Sequence, residues 1–224
     1  MATQHRAPQP APRQLADLPW AAALRPHPGG VQPDGEYDGA HFDAAEWDDP
    51  DGASAVFIEC ALTGVSVRAG RLRQARFTGA WLADVQLTGT DLARSSWQDA
   101  VFERSVAAGA QLFGSVLRRV TFRGCKLDGA NFRDAALTDV RFENCLLRGT
   151  DFGGARLTRT AFAGCKLVQA DFTKAVLDRA DLRSSELDII AGPDSLRGAI
   201  ITPGQLTAIA PALAESLGIT VTDG

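Results

Sequence analysis

Residues 130–174 read ANFRD AALTD VRFEN CLLRG TDFGG ARLTR TAFAG CKLVQ ADFTK when they are written in groups of five. The first residue of every group is small, and the third is Leu or Phe. The fifth is most often Gly, Asp or Asn, which are residues typical of turns. A period of five fits neither the 3.6-residue repeat of an α-helix nor the alternation of a long strand. It predicts very short extended segments joined by corners.

The same pattern extends far beyond this stretch. The bulky series runs in steps of five from Phe57 to Leu187 through 27 positions, of which fifteen are Leu and nine are Phe. All 27 residues that lie two positions earlier, from Ala55 to Ser185, are small. Residues two apart on an extended segment point to the same side, so each small and bulky residue form an inward-facing pair. The sequence therefore predicts an all-β coil with a side-chain-filled interior.

A longer period sets the number of segments in each turn of the coil. Three cysteines recur 20 residues apart, at Cys125, Cys145 and Cys165. Two series of phenylalanines have the same spacing, namely Phe102, Phe122, Phe142 and Phe162, and then Phe132, Phe152 and Phe172. Twenty residues are four groups of five, which predicts a square tube with four faces. On its outside, Arg123 is expected to lie between Glu103 and Glu143 of the neighbouring turns.

The groups at 130–134, 150–154 and 170–174 resemble the repeat of the pentapeptide-repeat proteins. The resemblance implies a right-handed quadrilateral β-helix whose small and bulky positions point inward. Together with the patterns above, it predicts three parts. These are a Pro-rich disordered leader over 1–33, the β-helix over 34–201, regular from about 55 to 190, and a short C-terminal α-helix and tail over 202–224.

The two ends of the predicted rod differ in character. The leader holds seven of the 11 prolines and one short apolar patch from Leu15 to Leu24, and residues 34–51 hold eight acidic residues and no Lys or Arg. At the other end, residues 202–205 have the form of a helix capping box. The apolar residues at helical spacing that follow are Leu206, Ile209, Leu213 and Leu217. This helix is predicted either to cap the open end of its own rod or to join a second copy in a homodimer.

Composition excludes several classes of protein. The 23 Lys and Arg against 27 Asp and Glu give a net charge of −4, which argues against direct binding of nucleic acid. The sequence contains no apolar run near the roughly 18 residues of a transmembrane helix and no signal-peptide core at its start. We therefore expect no membrane association and a cytoplasmic location.

The sequence offers little material for catalysis. His5 and His27 fall in the leader, and His41 occupies an outward position with no serine or cysteine nucleophile near it in sequence. All four cysteines occupy the small inward position, where they act as small apolar residues. We therefore predict no catalytic residue, no cofactor and no metal. An enzyme built on the rod, with His41 as its candidate residue, is the least favoured hypothesis.

The favoured hypothesis is a non-enzymatic, rod-shaped module that binds a protein partner of unknown identity. Its outward apolar residues are contact candidates, and they are Trp81, Val101, Val106, Phe113, Val116 and Leu146. Such single exposed apolar residues are also normal on protein surfaces.

The family resemblance implies a second hypothesis. Some bacterial members mimic DNA, bind DNA gyrase or topoisomerase IV, and protect against quinolones or other gyrase poisons, which is a form of antibiotic resistance. The candidate partner-binding residues here form one 20-residue column, with Gln111 among them: Asp91, Asn131, Asp151 and Asp171. The favoured alternative is that these side chains are solvated or cap the corners of the tube. However, residues 55–190 hold 19 basic and 15 acidic residues, a balance of +4, whereas a DNA mimic should carry its negative charge on the rod.

Overall fold

The computed structural model describes residues 12–222 as a β-helix of about eight turns that ends in one short helix. Its strands are β1 (Arg25–Pro26), β2 (Glu36–Asp38), β3 (Ala40–Asp43), β4 (Glu46–Asp48), β5 (Val56–Ile58), β6 (Ala61–Thr63), β7 (Ser66–Arg68), β8 (Arg76–Thr78), β9 (Trp81–Ala83), β10 (Ser96–Gln98), β11 (Val101–Glu103), β12 (Val116–Arg118), β13 (Thr121–Arg123), β14 (Ala136–Thr138), β15 (Arg141–Glu143), β16 (Arg156–Thr158), β17 (Ala161–Asp171), β18 (Val176–Asp178), β19 (Ala180–Ala191) and β20 (Ala199–Ile200). The helix α1 spans Pro203–Ser216.

All strand pairs are parallel, and in the regular coils each residue lies beside the residue 20 positions later. Phe102 pairs with Phe122, for example, and Leu117 pairs with Leu137. We number the four faces by the columns of bulky residues inside them. Face 1 runs from Tyr37 to Leu177, face 2 from Phe42 to Leu182, face 3 from Trp47 to Leu187, and face 4 from Leu72 to Phe172. The predicted quadrilateral β-helix with a C-terminal helix is confirmed.

The interior is filled by stacked aromatic rings. In the first turns most of the rings belong to face 1, where Phe57 lies 4.4 Å from Phe77, and Phe77 lies 3.7 Å from Trp97, between ring centroids. From Phe102 onward they belong to faces 2 and 4, which face each other across the tube. These are the two phenylalanine series expected from the sequence, and their rings meet edge to face at 5.9–6.4 Å.

The small inward position tolerates polar side chains because the fold supplies them with an acceptor. Ser115 Oγ donates to the carbonyl of Leu92 at 3.0 Å, and Thr150 Oγ1 donates to that of Leu127 at 3.1 Å. Cys165 Sγ makes the equivalent contact with the carbonyl of Phe142 at 3.3 Å. Serine, threonine and cysteine can therefore replace alanine at this position with a partner for the buried donor. Within residues 12–222, the hydroxyls of Thr90 and Thr160 at the same position are exceptions, because they are buried without a hydrogen-bond partner.

The N-terminal segment differs from the prediction. Residues 15–17 and 21–23 form short 3-10 helices, and β1 pairs with β3, so the predicted disorder over 1–33 does not hold for residues 12–33. Burial explains the difference, since Leu15, Leu18, Trp20 and Leu24 pack against side chains of the rod. The part of the prediction that concerns residues 1–11 lies outside the described residues.

The last turn closes in a less regular way. Gly192 adopts a left-handed backbone with φ of +71°, and a Cβ there would lie 2.4 Å from the Thr173 nitrogen, so only glycine fits. A 3-10 turn at Pro193–Leu196 and β20 follow. The helix α1 then runs through Pro211 without a break and packs Ile209 and Leu213 against the end of the core.

Candidate functional site

A filled tube leaves only its outer columns for function. The predicted column on face 4 exists in space, because Asp91, Gln111, Asn131, Asp151 and Asp171 lie side by side in successive turns. Each is the first residue of a short extended segment, so their side chains emerge at one corner of the tube. The structure therefore brings together all four predicted partner-binding residues.

These side chains are largely engaged with their own rod. Asp91, Asp151 and Asp171 each use Oδ1 to accept a hydrogen bond from the backbone amide two residues later, at 2.7–3.0 Å. Asn131 Oδ1 does the same, and its amide group donates to Gln111 at 2.9 Å. These are turn-capping contacts.

Arginines also neutralise the column. Arg133 lies 2.9 Å from Asp151 and 3.7 Å from Asp171, and Arg73 lies 3.5 Å from Asp91. The column is thus ordered and close to neutral, unlike the negative surface of a DNA duplex.

A second column, on face 2, carries a buried ionic ladder. Arg123 lies between Glu103 and Glu143, at 2.7 and 2.9 Å, as the sequence predicted. Burial alone would lower the pKa of Arg123, but its hydrogen bonds to Glu143 and Glu103 raise it overall. Because all three side chains are largely shielded from water, the ladder links three neighbouring turns and offers little to a partner.

Corner positions carry more exposed ion pairs. Asp99 binds Arg119, and Asp139 binds Arg159 at 2.6 Å. Hydrogen bonds from these two arginines hold the pKa of each carboxyl group below its usual range. The paired residues lie 20 positions apart, so each pair ties neighbouring turns together on the outside of the rod.

His41 lies in a short hydrogen-bonded chain. Its Nε2 is 2.8 Å from Thr63 Oγ1, and the Thr63 hydroxyl lies 2.6 Å from Asp43 Oδ1. An ionised carboxylate only accepts, so the single hydroxyl proton points to Asp43 and Nε2 of His41 donates to the oxygen. This is the reverse of a histidine base that activates a hydroxyl nucleophile. Within residues 12–222, no group of three or more His, Cys, Asp or Glu side chains could hold a metal ion.

Comparison with known proteins agrees with this architecture. Family models of pentapeptide repeats (8 copies) match residues 55–92 and 80–119, and a model of a pentapeptide repeat region matches residues 115–190. The chain belongs to the pentapeptide-repeat family.

Two solved structures were found to be similar to this pentapeptide-repeat protein. A trypsin-treated variant of QnrB1, a plasmid-mediated fluoroquinolone resistance protein, aligns with a TM-score of 0.67 at 18% identity, over 89% of this chain and 100% of that chain. HetL, a pentapeptide repeat protein involved in heterocyst differentiation regulation from the cyanobacterium Nostoc sp. strain PCC 7120, aligns with a TM-score of 0.36 at 19% identity, over 75% and 91%. The search of curated proteins found no match. The likeness to QnrB1 shows a shared fold alone.

The cysteines of this pentapeptide-repeat protein are all buried and free of disulfides. Burial raises the pKa of the Cys60 thiol to about 11. The neighbouring thiols of Cys125 and Cys165, together with burial, also raise the pKa of Cys145. Thiols that stay protonated at neutral pH are poor nucleophiles and poor metal ligands, so Cys60 and Cys145 act as core packing.

The outward apolar residues fall into two groups. Trp81 and Val101, which the sequence placed among the contact candidates, are only 3% and 5% exposed because the N-terminal segment covers them. Phe113 and Val116 are exposed, and Val106 and Leu146 are half-buried. The apolar patch from Leu15 to Leu24 was the sequence feature that indicated such a covering segment. Its position on the rod could not be predicted from the sequence.

The four apolar residues predicted for the C-terminal helix also fall into a buried pair and an exposed pair. Ile209 is 5% exposed and, with Leu213, packs against the open end of the tube. Leu206 and Leu217 point away from the rod and are 51% and 70% exposed. No helix within the described residues is long and apolar enough to cross a lipid bilayer.

Proposed function

We propose that this protein is a non-enzymatic, rod-shaped module that binds a protein partner through its outer surface. The observation that carries the proposal is the filled interior, in which aromatic and aliphatic columns leave only outward side chains at fixed spacing along the rod. A rigid surface of this kind costs little conformational entropy on binding, which favours recognition of another folded surface.

Charge indicates which part of the rod meets the partner. Of the eight acidic residues in 34–51, the ion pairs within residues 12–222 include only Asp49 and Asp51, both through Arg71. The carboxylates of the face 4 column, in contrast, are paired with arginines or cap turns. We therefore expect the acidic first turn to contribute more to binding, and a basic partner surface to complement it.

Two charge variants of the tagged full chain test this proposal. One carries Asp38→Asn, Glu46→Gln and Asp48→Asn in the exposed first turn, and the other carries Asp91→Asn and Asp171→Asn on face 4. Both proteins and the unaltered chain are used for affinity capture from a bacterial lysate, followed by quantitative mass spectrometry. We expect a defined partner that is retained by the face 4 variant and lost with the first-turn variant. Recovery of the same proteins by all three baits, or by beads alone, would refute the proposal.

A DNA-mimicking binder of DNA gyrase or topoisomerase IV is the second candidate. The fold shared with QnrB1 and the acidic first turn favour it, whereas the +4 balance of residues 55–190 weighs against it. A gyrase supercoiling assay, with and without a fluoroquinolone, tests this hypothesis. Inhibition or protection at micromolar protein supports it, and an unchanged reaction under both conditions eliminates it.

We also propose a homodimer through the outer side of α1. Glu215 is the only charged residue of this helix, yet Leu206 and Leu217 are exposed, so the same apolar patch on two copies could form a two-fold interface. Light scattering of the unaltered chain should give twice the mass of the Leu206→Glu, Leu217→Glu variant. Equal masses for the two proteins would rule this interface out.

A further inference from the structure

Residues 12–24, which we call the arm, lie along face 2 of the rod. Leu15, Leu18, Trp20 and Leu24 of the arm pack on a separate apolar cluster that is not part of the tube interior. We call this cluster the seat, and it consists of Ala61, Trp81, Ala83 and Val101. The arm therefore contacts the outside of the finished β-helix, as a bound peptide would.

Few polar contacts hold the arm in place. The backbone ladder to the rod begins at Arg25, whose amide donates to the carbonyl of Gly39 at 2.8 Å. Between residues 12 and 24, the described hydrogen bond to the rod is from Arg123 Nη1 to the carbonyl of Pro12 at 3.1 Å. The other hydrogen bonds of the arm are internal, including those from Arg13 and Gln14 to Asp17. Side-chain packing thus supplies most of the attachment.

The seat is an apolar stretch of face 2 with polar turns on either side of it. In the same outward columns of face 2, the turns before and after it carry polar or charged residues, namely His41, Asp43, Thr121, Arg123, Arg141 and Glu143. Gly79 lies beside the seat with φ of +65°, and a Cβ there would be 3.5 Å from Trp20 Nε1. Gly79 therefore lies at van der Waals distance from the indole ring of the arm.

We propose that the seat is a peptide-binding surface, which the arm of the same chain occupies in this structure. A partner protein binds the seat in place of the arm, through an apolar segment whose Leu and Trp residues have the same spacing as those of the arm. The part about a partner rests on the proposed function, whereas the peptide-binding seat stands on geometry alone. A groove of about 1200 Å³ continues from Pro12 past Thr121 and Arg141 to Ala161. This open groove gives an incoming segment a place to bind before it displaces the arm.

The full-length chain with a weakened arm provides the test. Leu15→Ser, Leu18→Ser and Trp20→Ser remove the apolar contacts of the arm and leave the seat intact. The probe is a fluorescein-labelled peptide of residues 12–24, and its binding is measured by fluorescence anisotropy. We expect the arm variant to bind the peptide at least tenfold more tightly than the unaltered chain, in which the seat is occupied. Equal binding by the two proteins would overturn the proposal.

A matched pair of glycine substitutions locates the binding surface. Gly79→Asn, added to the arm variant, extends a side chain from a Cβ that already contacts the position of the indole ring, so peptide binding should fall at least tenfold. Gly89→Asn is the control, since Gly89 has nearly the same φ of +66° and a Cβ there has no neighbour within 4 Å. Asparagine tolerates this left-handed backbone at both positions. Equal losses for the two substitutions would exclude the seat as the binding surface.

Hydrogen exchange on the unaltered chain keeps the inference testable if the arm variant fails to fold. If the arm detaches on its own, the amides of residues 15–24 should exchange with solvent while those of β3, β6 and β9 stay protected. Exchange of the arm only together with these strands would show that it is an inseparable part of the rod. None of these three experiments requires a partner from the lysate, so a failure of this inference is distinct from a failure of the proposed function.

Discussion

The first and third residues of each group of five tolerate substitution less well than the residues beside them. Ala130 is fully buried between the phenylalanine columns and Leu columns, whereas Arg133, three residues later, is exposed and pairs with Asp151. Ala130→Leu adds three carbon atoms to a filled interior, which should lower the free energy of unfolding by about 1–3 kcal/mol. Arg133→Ala removes an exposed ion pair and should cost less than about 1 kcal/mol. Urea unfolding of both variants measures the difference, and equal losses would contradict the inward register.

Ion pairs at the corners predict a dependence of stability on pH. The pKa of Asp139 is lowered by its hydrogen bond from Arg159, so the pair contributes fully above the unfolded-state pKa of about 3.9. The contribution is lost as the pH falls through the lower, folded-state pKa. Asp139→Asn keeps a residue suited to the left-handed backbone at this corner, where φ is 56°.

This variant should therefore be less stable than the unaltered chain at pH 7, by no more than about 1 kcal/mol for an exposed pair. The difference should shrink toward zero below the folded-state pKa, because both chains then carry a neutral side chain at this position. Urea unfolding at pH 7 and pH 3 provides the measurement. A difference that stays constant between these pH values would show that the ion pair is not its source.

The C-terminal helix depends on one glutamine. Gln205 Oε1 accepts from the Thr202 amide at 2.8 Å, and Nε2 donates to the carbonyls of Leu182 and Ser185 at 2.6 and 2.7 Å. These carbonyls lie in the last regular turn, so the glutamine both caps α1 and ties it to the open end of the β-helix.

Gln205→Ala should release α1 and increase hydrogen exchange in β19, and it should cost about 1–3 kcal/mol for the unpaired carbonyl groups. Thr207→Ala, on the same helix, removes only a local hydrogen bond to the Pro203 carbonyl and serves as the control. If β19 exchanges at the same rate in both variants, the glutamine does not hold the end of the rod closed.

The coils and the arm differ in how far they can be predicted from sequence. A five-residue period is a local signal repeated 27 times, so the coil, its four faces and the position of Arg123 between two glutamates all follow from spacing. The patch from Leu15 to Leu24 has no period, and its order comes from contact with Trp81 and Val101 far along the chain. Spacing also placed Asp91 and Asp151 in one column, and Asp is a residue type that caps turns, as both carboxylates do in the structure.

We expect the middle turns of the rod to be coupled to more neighbouring turns than the end turns are. Phe142 contacts four other rings, those of Phe122, Phe132, Phe152 and Phe162, at centroid distances of 4.8–6.4 Å. These rings belong to turns on both sides of it. In a repeat protein each turn is stabilised by its neighbours, so a residue that bridges several turns couples the unfolding of the two halves.

Phe142→Ala should lower the free energy of unfolding by about 3–5 kcal/mol, because it leaves a ring-sized cavity at this junction. Hydrogen exchange should then increase in β11 and β13 before it and in β17 after it. Leu187→Ala removes a large side chain from the last turn, and its effect should stay within β19, β20 and α1, because only one neighbouring turn depends on it. If Leu187→Ala increased exchange in β11 and β13 as much as Phe142→Ala does, the rod would unfold as a single block, and nearest-neighbour coupling would not describe it.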